Sequence, residues 1–278
     1  MTETRADLSR LDVRDYIDGQ APFYAGTANV IMQLGRPEVG YGVYESRVPS
    51  GDVRLVPRKR ARTTVTYLSV ALLGTDEERR AFRRAVDKQH VQVRSDERSP
   101  VRYNAFDRDL QLWVAACLAY GARDFYERLH GPHDDPEVAE WLYRQTSRLG
   151  TTLQVPEDAW PATLADFDDY WTRGLERVSY DDTMTAYLQD LLDLKQLPER
   201  QRSRLAGFHR WINTGFLPPA FRDALGLTWS TADQAKFERH CAKVGRRNRR
   251  LPRTVRNFPF NAMLLDFRTR RRLKLPLV

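Results

Sequence analysis

The sequence predicts an all-α protein that forms a single large helical domain, and three observations support this fold class. Apolar residues recur at helical spacing along most of the chain, and helix-capping signals precede several of these runs. No alternation of apolar and polar residues, which would be typical of a strand, persists beyond a few residues. The length of 278 residues suits one large domain, because the loops at 95–106 and 150–160 are too short to act as linkers.

Two adjacent helices carry the clearest signals. The segment 57–73 opens with proline, a favoured first-turn residue, and Gly74 ends it. Thr75 and Glu78 then form a capping-box pattern, in which the threonine oxygen accepts from a free backbone N–H and the glutamate reaches back. A second helix is therefore predicted from this box to about residue 93. Its apolar stripe consists of Phe82, Val86 and Val93.

The next predicted helix is the most apolar stretch of the chain and should lie at the centre of the fold. Asp107 can cap its first turn, and its apolar residues continue to about Leu129. Ser230 and Asp233 resemble a further capping pair, at the start of a predicted helix over 230–247. Other helical patterns lie at 21–34, 37–47, 136–149, 161–177, 181–193, 198–214, 218–225 and 260–273.

The net charge of +8 is concentrated near the carboxyl end of the sequence. The segment from Cys241 onward carries +11, so residues 1–240 carry −3. A basic segment of this kind suits nucleic acid, anionic lipid or an acidic partner. The alternative, which we favour, is a solvated helix face anchored by apolar residues. These residues alternate with the arginines: Leu264, Leu265, Phe267 and Leu273.

The two cysteines, Cys117 and Cys241, lie in apolar helical patterns. We expect them to be small core residues rather than a disulfide or a metal pair. The first residues contain no apolar leader region, and no apolar run reaches the length needed to span a membrane. A cytoplasmic location is therefore predicted, with peripheral contact to a membrane surface left open.

Several common functional motifs are absent from the sequence. It contains no GxxxxGK[ST] loop, no dinucleotide-binding glycine pattern, no GxSxG and no CxxC. The usual phosphate-binding, hydrolase and zinc-ribbon classes therefore lack support. The six Trp, twelve Tyr and twelve Phe residues would either fill the core or line an apolar ligand pocket.

His90 is the most informative single residue. It follows Val86 by four residues and precedes Val93 by three, so its imidazole lies on the apolar face of its helix. Such a ring needs a partner for its nitrogens, and a haem iron is one possibility. From periodicity alone, a buried histidine bonded to a carbonyl oxygen is the more common outcome.

Arg60 and Thr64 lie four residues apart and share a face of the preceding helix. A fixed cation beside a hydroxyl can polarise dioxygen or hold a haem propionate. The alternative is an exposed basic helix start over residues 58–62, which we would favour from these residues alone.

His130 and His133 form an HxxH pattern next to two aspartates. Because Gly131 and Pro132 separate the two rings, the pattern indicates a turn rather than a metal-binding helix face. We expect an exposed loop here.

Four blocks of the sequence resemble one known family in order and spacing. The first block is IMQLGRPEV at 31–39, and the second is RARTTVTYL at 60–68. The third block consists of QHVQVR, YNAFD and LWVA within 89–115. The fourth runs from TGFLPP to LGLTWS within 214–230. Together they are similar to the haem-dependent oxygenase family of latex-clearing protein, the rubber oxygenase, and the MpaB-type oxygenases. The resemblance extends from about residue 20 to 245.

The resemblance implies a globin-like helical core that holds haem b. The family's iron-ligating histidine falls on His90, and the distal arginine and threonine of the rubber oxygenases fall on Arg60 and Thr64. Arg94, in the same block as His90, and Thr214, at the start of the fourth block, are further cofactor-binding candidates. The iron would activate dioxygen while an apolar cavity aligns the substrate.

The resemblance also implies partners and a domain division. Family enzymes cleave carbon–carbon double bonds of isoprenoids, so we expect a small apolar substrate, isoprenoid-like or a natural product, with dioxygen. No specific nucleic acid is expected, and the oligomeric state is left open. The predicted division is an N-terminal extension over 1–19, a catalytic domain over 20–250, and a basic C-terminal helix over 251–278 packed on that domain.

Three positions depart from the family pattern. Ala115 stands where the family usually has the histidine of WVHA, Arg36 where it has the histidine of LAHP, and Thr63 where it has a basic residue. Ala115 cannot donate, accept or ligate. Two alternatives follow: a relative that performs another haem oxidation, or a non-catalytic helical binding protein whose basic tail contacts nucleic acid or anionic lipid.

Overall fold

The computed structural model of the protein describes residues 7–46, 48 and 56–278. All regular structure in these residues is helical, and one isolated bridge between Arg94 and Asn104 is their only strand-like pairing. The α-helices are α1 Ala21–Tyr24, α2 Gly26–Gln33, α3 Pro37–Tyr44, α4 Pro57–Leu73, α5 Asp76–His90, α6 Arg108–His130, α7 Pro136–Thr146, α8 Arg148–Thr151, α9 Leu164–Leu175, α10 Asp182–Leu192, α11 Glu199–Phe216, α12 Pro219–Ala224, α13 Thr231–Asn248, α14 Arg253–Arg256 and α15 Phe260–Arg272. Short 3-10 helices cover Leu8–Arg10, Val13–Asp15 and Glu157–Ala159. The all-α prediction is confirmed.

The helix starts follow the capping signals of the sequence. Thr75 and Glu78 form the predicted reciprocal capping box of α5. The Asp107 carboxylate accepts from two backbone N–H groups in the first turn of α6. Ser230 and Asp233 form a capping box at the start of α13. Each cap satisfies backbone donors that have no partner within the helix, which fixes where the helix begins.

Several helix boundaries differ from the sequence prediction. The predicted helix 21–34 is interrupted at Ala25, whose φ of −119° and ψ of 4° are not helical. The predicted helix 136–149 is divided at Ser147 into α7 and α8. Helix α5 ends at His90 rather than 93, because the chain after it pairs with the 103–105 segment through Ser95 N–H and Val93 C=O. Helix α3 ends at Tyr44, before the predicted end at 47, and residue 47 itself lies outside the described residues.

Helix α6 forms the centre of the core. Trp113, Ala116 and Cys117 on this helix are fully buried, and the Trp113 ring stacks on Trp171 at a centroid distance of 5.4 Å. Cys117 and Cys241 are both free and buried, which confirms their prediction as core residues. Stacked aromatic pairs of this kind add to the stabilisation that comes from burial alone.

Close helix crossings place α11, α13 and α6 side by side. A Cβ atom on Gly245 of α13 would lie 1.8 Å from the Leu129 carbonyl oxygen at the end of α6. A Cβ on Gly215 of α11 would lie 2.4 Å from the Phe237 ring of α13. Both contacts exclude any side chain, so these two glycines set how closely the three helices approach.

The C-terminal helix α15 packs against α4 and α5. Phe267 is fully buried, with its ring 6.0 Å from Phe82 of α5. Arg268 donates to the Glu78 carboxylate at 2.7 Å, and Arg62 of α4 lies 3.6 Å from Asp266. The domain division at residues 19 and 250 stays a prediction, and residues 1–6 of the extension lie outside the described residues.

Acidic residues from elsewhere in the chain pair with many cations of the C-terminal segment. Arg253 lies 3.2 Å from Asp12 and 3.3 Å from Asp15, and Arg256 lies 3.7 Å from Asp15. Arg271 pairs with Glu77 of α5. The positive segment and the negative remainder of the sequence therefore meet within the fold.

The HxxH pattern lies at a helix end followed by a non-helical loop over 131–135, as predicted, but both histidine side chains are only partly exposed. His130 is the last residue of α6, and its Nε2 lies 3.9 Å from an Asp18 carboxylate oxygen. The His133 ring stacks on Tyr126 at 4.9 Å and lies 5.3 Å from Tyr16. Aromatic side chains from two other elements cover the turn, which local sequence does not indicate.

No helix in the described part of the chain combines the length and the apolar character needed to cross a membrane.

Candidate functional site

A cavity of about 280 Å³ lies among helices α3, α4, α5 and α6 and the 149–155 segment. Aliphatic residues make up about half of its lining, and the polar residues include one carboxylate, Glu38, as well as Arg60 and His90. The aliphatic lining includes Val39, Val43, Val86, Val93, Leu110, Val114, Leu118, Leu149, Leu153 and Val155. Mostly apolar walls with a small number of polar groups are typical of small-molecule and cofactor sites.

His90 reaches this cavity from the last turn of α5. Phe82, Val86 and Val93 line the same cavity, as the spacing of the stripe predicts. The His90 Nδ1 atom is buried and has no hydrogen-bond partner among the described residues. Burial lowers the pKa of His90, although the Gln154 side chain and the Asp87 carboxylate act in the opposite direction. The ring is therefore neutral near pH 7, and neutral imidazole is the form that ligates a metal.

One face of helix α4 contributes a second group of polar side chains to the cavity wall, in addition to His90. Arg60, Thr63, Thr64 and Tyr67 lie at helical spacing, and all four line the cavity. Burial lowers the pKa of Arg60. The Arg60 guanidinium forms no ion pair with any residue that the structure describes. The Thr63 hydroxyl is likewise buried without a partner there.

Some of the basic side chains at the start of α4 are exposed to solvent, and one faces the cavity. Arg58 and Lys59 are exposed, whereas Arg60 is half-buried and faces the cavity. The alternative of a wholly exposed basic start therefore describes only part of this turn. Arg60 and Thr64 are brought to the same cavity as His90.

A chain of side-chain amides lies beside His90. Gln154 donates to the Asp87 carboxylate and accepts from Gln111 of α6, which also donates to the Ala105 carbonyl oxygen. Sequence reasoning missed these groups. Asp87 precedes His90 by three residues on α5, so its spacing was a usable signal. Gln154 lies in a loop and has no local signal that connects it to His90.

Ala115 and Arg36 stand at two positions where the family usually has histidine, and only one of these positions lines the cavity. Ala115 is buried, and it lines the cavity. Arg36 does not line it; the guanidinium lies over the Trp113 ring at 4.8 Å and 3.8 Å from Asp109. The departure at 115 therefore removes a polar group from the cavity itself, whereas the departure at 36 changes the core behind it.

Arg94 and Thr214 are not brought together with His90. The Arg94 side chain is exposed, and the residue does not line the cavity. Thr214 is buried in α11 and lines a separate pocket with Trp211 and Trp229. Their cofactor-binding roles stay predictions without geometric support, because the chain turns away after His90 and α11 lies elsewhere.

No group of three or more His, Cys, Asp or Glu side chains among the described residues is arranged to hold a metal ion. A haem iron differs from such a site because the porphyrin supplies most of its ligands, so that one axial histidine is sufficient.

The fold and the cavity together define an all-helical protein with an apolar ligand cavity that presents a neutral imidazole. The chain belongs to the family described as ER-bound oxygenase mpaB/B'/Rubber oxygenase, catalytic domain, whose model matches residues 13–246. The resemblance read from the four sequence blocks is thereby confirmed.

Two mycobacterial proteins are similar to this chain. Uncharacterized protein Rv2237 of Mycobacterium tuberculosis and uncharacterized protein Mb2261 of Mycobacterium bovis are each 46% identical to it over 245 residues. Each alignment covers 88% of this chain and 96% of the relative. No solved structure matches the chain at a significant level.

Proposed function

We propose that this protein is a haem b-dependent oxygenase that uses dioxygen to oxidise a small apolar substrate of the isoprenoid or natural-product class. The observation that carries the proposal is the buried, unpartnered imidazole nitrogen of His90 in an aliphatic cavity. Membership of an oxygenase catalytic-domain family supports the reaction class. The cofactor and the substrate class are our inference.

The residues around the cavity fit haem. His90 offers a neutral imidazole for the iron, and the aliphatic walls suit the porphyrin face. Arg60 offers a cation for a propionate or for polarising dioxygen. The volume of about 280 Å³ is slightly below the roughly 300–1,000 Å³ typical of ligand pockets. Val278 forms part of one wall of the cavity.

The chain's own residues would hold and orient the reactants. Haem iron, when bound, would supply the activation of dioxygen. The aliphatic walls would exclude water and align an apolar substrate near the reacting centre. Arg60 and Thr64, on one face of α4, would stabilise negative charge that develops on oxygen. Gln154, held by Asp87 and Gln111, would orient the His90 ring.

The substitution at Ala115 bears on the reaction type. Because this position lines the cavity, the chain lacks a polar group that the family usually places there. We therefore assign oxygenation in general rather than double-bond cleavage in particular. The alternative of a binding protein that uses its basic tail receives less support, since Arg253, Arg256, Arg268 and Arg271 are all engaged in ion pairs.

The test is the absorption spectrum of protein expressed with a haem supply. We expect a Soret band in the wild type and its loss in His90→Ala. His240→Ala is the matched control, because His240 also has a buried unpartnered nitrogen but lies outside the cavity. Consumption of dioxygen in the presence of an isoprenoid such as squalene would then test the reaction class.

A wild-type protein that takes up no haemin would reject the cofactor, and so would a Soret band that survives in His90→Ala. Full haem occupancy without dioxygen consumption on any apolar substrate would leave a haem-binding protein and reject the oxygenase.

A further inference from the structure

A further concave region lies on the surface between helices α11 and α13, far from His90 in the sequence. Its volume is about 620 Å³. We call it the α11–α13 groove, defined by Gly207, Phe208, Trp211, Lys236, Arg239, His240 and Lys243. The His240 ring lies 5.6 Å from the rings of Phe208 and Trp211, which gives the groove an aromatic floor.

Every charged residue that lines the α11–α13 groove is a cation. Lys236, Arg239 and Lys243 project from successive turns of α13, and the groove lining includes no carboxylate. None of these three side chains forms an ion pair with a described residue. Lys236 lies over the Trp211 ring at 4.7 Å. These charges therefore remain available, in contrast to the paired cations that follow Pro252, such as Arg253 and Arg268.

Large apolar side chains project beside these cations. Phe208 is 49% exposed, and Leu205, one turn earlier on the same helix, is 50% exposed. Phe23 of α1 is 63% exposed, and its neighbour Tyr24 lies 6.1 Å from the Phe208 ring. An exposed apolar patch bordered by unpaired cations is more consistent with a binding surface than with ordinary solvent-facing helix.

We propose that the α11–α13 groove and the apolar residues beside it form a docking surface for an anionic phospholipid bilayer. Phe23, Leu205 and Phe208 would enter the interfacial region, while Lys236, Arg239 and Lys243 would contact lipid phosphates. The positive charge of the α11–α13 groove is complementary to the negative charge of the phospholipid headgroups. The proposal does not depend on haem or on the proposed reaction.

Single-stranded nucleic acid fits the same surface less well. Its bases need open aromatic faces on which to stack. The Trp211 face carries Lys236, and the Phe208 ring contacts His240 edge to face at an interplanar angle of 61°. The protruding aliphatic Leu205 offers nothing to a base but suits lipid.

The experiment is co-sedimentation of the full chain with vesicles of phosphatidylcholine, with or without about one third phosphatidylglycerol, at low and high salt. We expect binding only to the anionic vesicles, weakened by salt. The triple variant Lys236→Glu, Arg239→Glu, Lys243→Glu should lower partitioning more than about tenfold. The matched control reverses three exposed cations of α5, Arg80, Arg84 and Lys88, and should bind nearly as the wild type does.

A second variant separates insertion from charge. Phe208→Ser keeps every cation and changes an exposed side chain, and we expect it to lower partitioning several-fold. Far-ultraviolet circular dichroism would check that each variant is folded. Equal binding to both vesicle types would overturn the proposal, as would equal losses in the groove and α5 triple variants. Tighter, groove-dependent binding to a single-stranded oligonucleotide would also overturn it, in favour of nucleic acid.

Discussion

The cavity beside His90 and the α11–α13 groove are built from similar residue types at different depths. Each contains a histidine with a buried nitrogen that lacks a partner among the described residues, together with aromatic rings and cations. The cavity is lined by buried residues such as Phe82, whose side chain is 1% exposed. The groove is lined by Phe208, whose side chain is 49% exposed. Similar side chains thus lie at a buried cavity in one place and at an open surface in the other.

The two histidines illustrate how the surroundings set ionisation. Burial lowers the pKa of His90, and a nearby carboxylate, that of Asp87, partly offsets this effect. Burial also lowers the pKa of His240, and there Lys243 and Lys236 lower it further. Both rings are neutral near pH 7, but the groove lining contains only cations, whereas the cavity lining contains both Arg60 and the Glu38 carboxylate. The two regions therefore differ in the charges around the ring and not in the residue type of the ring itself.

The largest expected effect compares one phenylalanine from each region. Phe82→Ala should lower the free energy of unfolding by about 3–5 kcal/mol, because it leaves a void between α4, α5 and α15. Phe208→Ala should change it by no more than about 0.5 kcal/mol, because that ring is half-exposed. Chemical denaturation of both variants measures the contrast. Similar losses would mean that the groove belongs to the core.

A second comparison tests charge in the cavity. Arg60→Ala should weaken haemin binding by about tenfold or more, since a charge-assisted hydrogen bond contributes roughly 1.5–3 kcal/mol. Arg58→Ala on the exposed side of the same turn is the control and should leave binding unchanged. Haemin titration followed by absorbance distinguishes the two. Equal affinities in all three proteins would remove Arg60 from the site.

A third prediction concerns the paired cations that distinguish the C-terminal segment from the groove. The Arg268 guanidinium holds the pKa of Glu78 below its ordinary value of 4.5. Its contribution to stability is therefore complete above that value and is lost as the pH falls through the lowered pKa. Glu78→Gln should cost on the order of 1 kcal/mol at pH 7, because Arg268 is partly exposed. The difference from wild type should shrink as the pH falls below 4.5 and through the lowered pKa of Glu78, and a pH-independent difference would contradict the pairing.

The smallest expected effect concerns the amide chain beside His90. Gln154→Leu should keep the Soret band but shift its position, because the ring would lose a group that orients it. Leu153→Ala, which changes the same cavity wall without touching the amide chain, is the control. Identical spectra for Gln154→Leu and wild type would assign Gln154 a structural role alone.

Local sequence patterns predicted much of the cavity's geometry. The stripe of Phe82, Val86 and Val93 correctly placed His90 on an apolar face, and the four-residue spacing placed Arg60 and Thr64 together. Such spacings act within one helix, where backbone geometry fixes the side-chain directions. The helix caps at Thr75 and Ser230 were predictable for the same reason.

Contacts between distant segments were not predictable in this way. Gln154 lies beside His90 only because the 149–155 segment returns to the end of α5. Ala115 and Arg36 both replace family histidines, yet only Ala115 lines the cavity. Thr214 belongs to a matching block but lies in another pocket. Their positions depend on how the helices pack, which no local pattern encodes.

The sequence by itself determined the helical class, the helix starts and which residues share a face, because each follows from hydrogen bonding and periodicity within about four residues. Tertiary structure alone decided that the tail cations pair with acids such as Asp15 and Glu78. It also decided that Lys236, Arg239 and Lys243 of α13 form no ion pair with any residue that the structure describes, and that a cavity forms beside His90. These outcomes depend on distances between residues that are far apart in the chain, and such distances are fixed only when the helices pack.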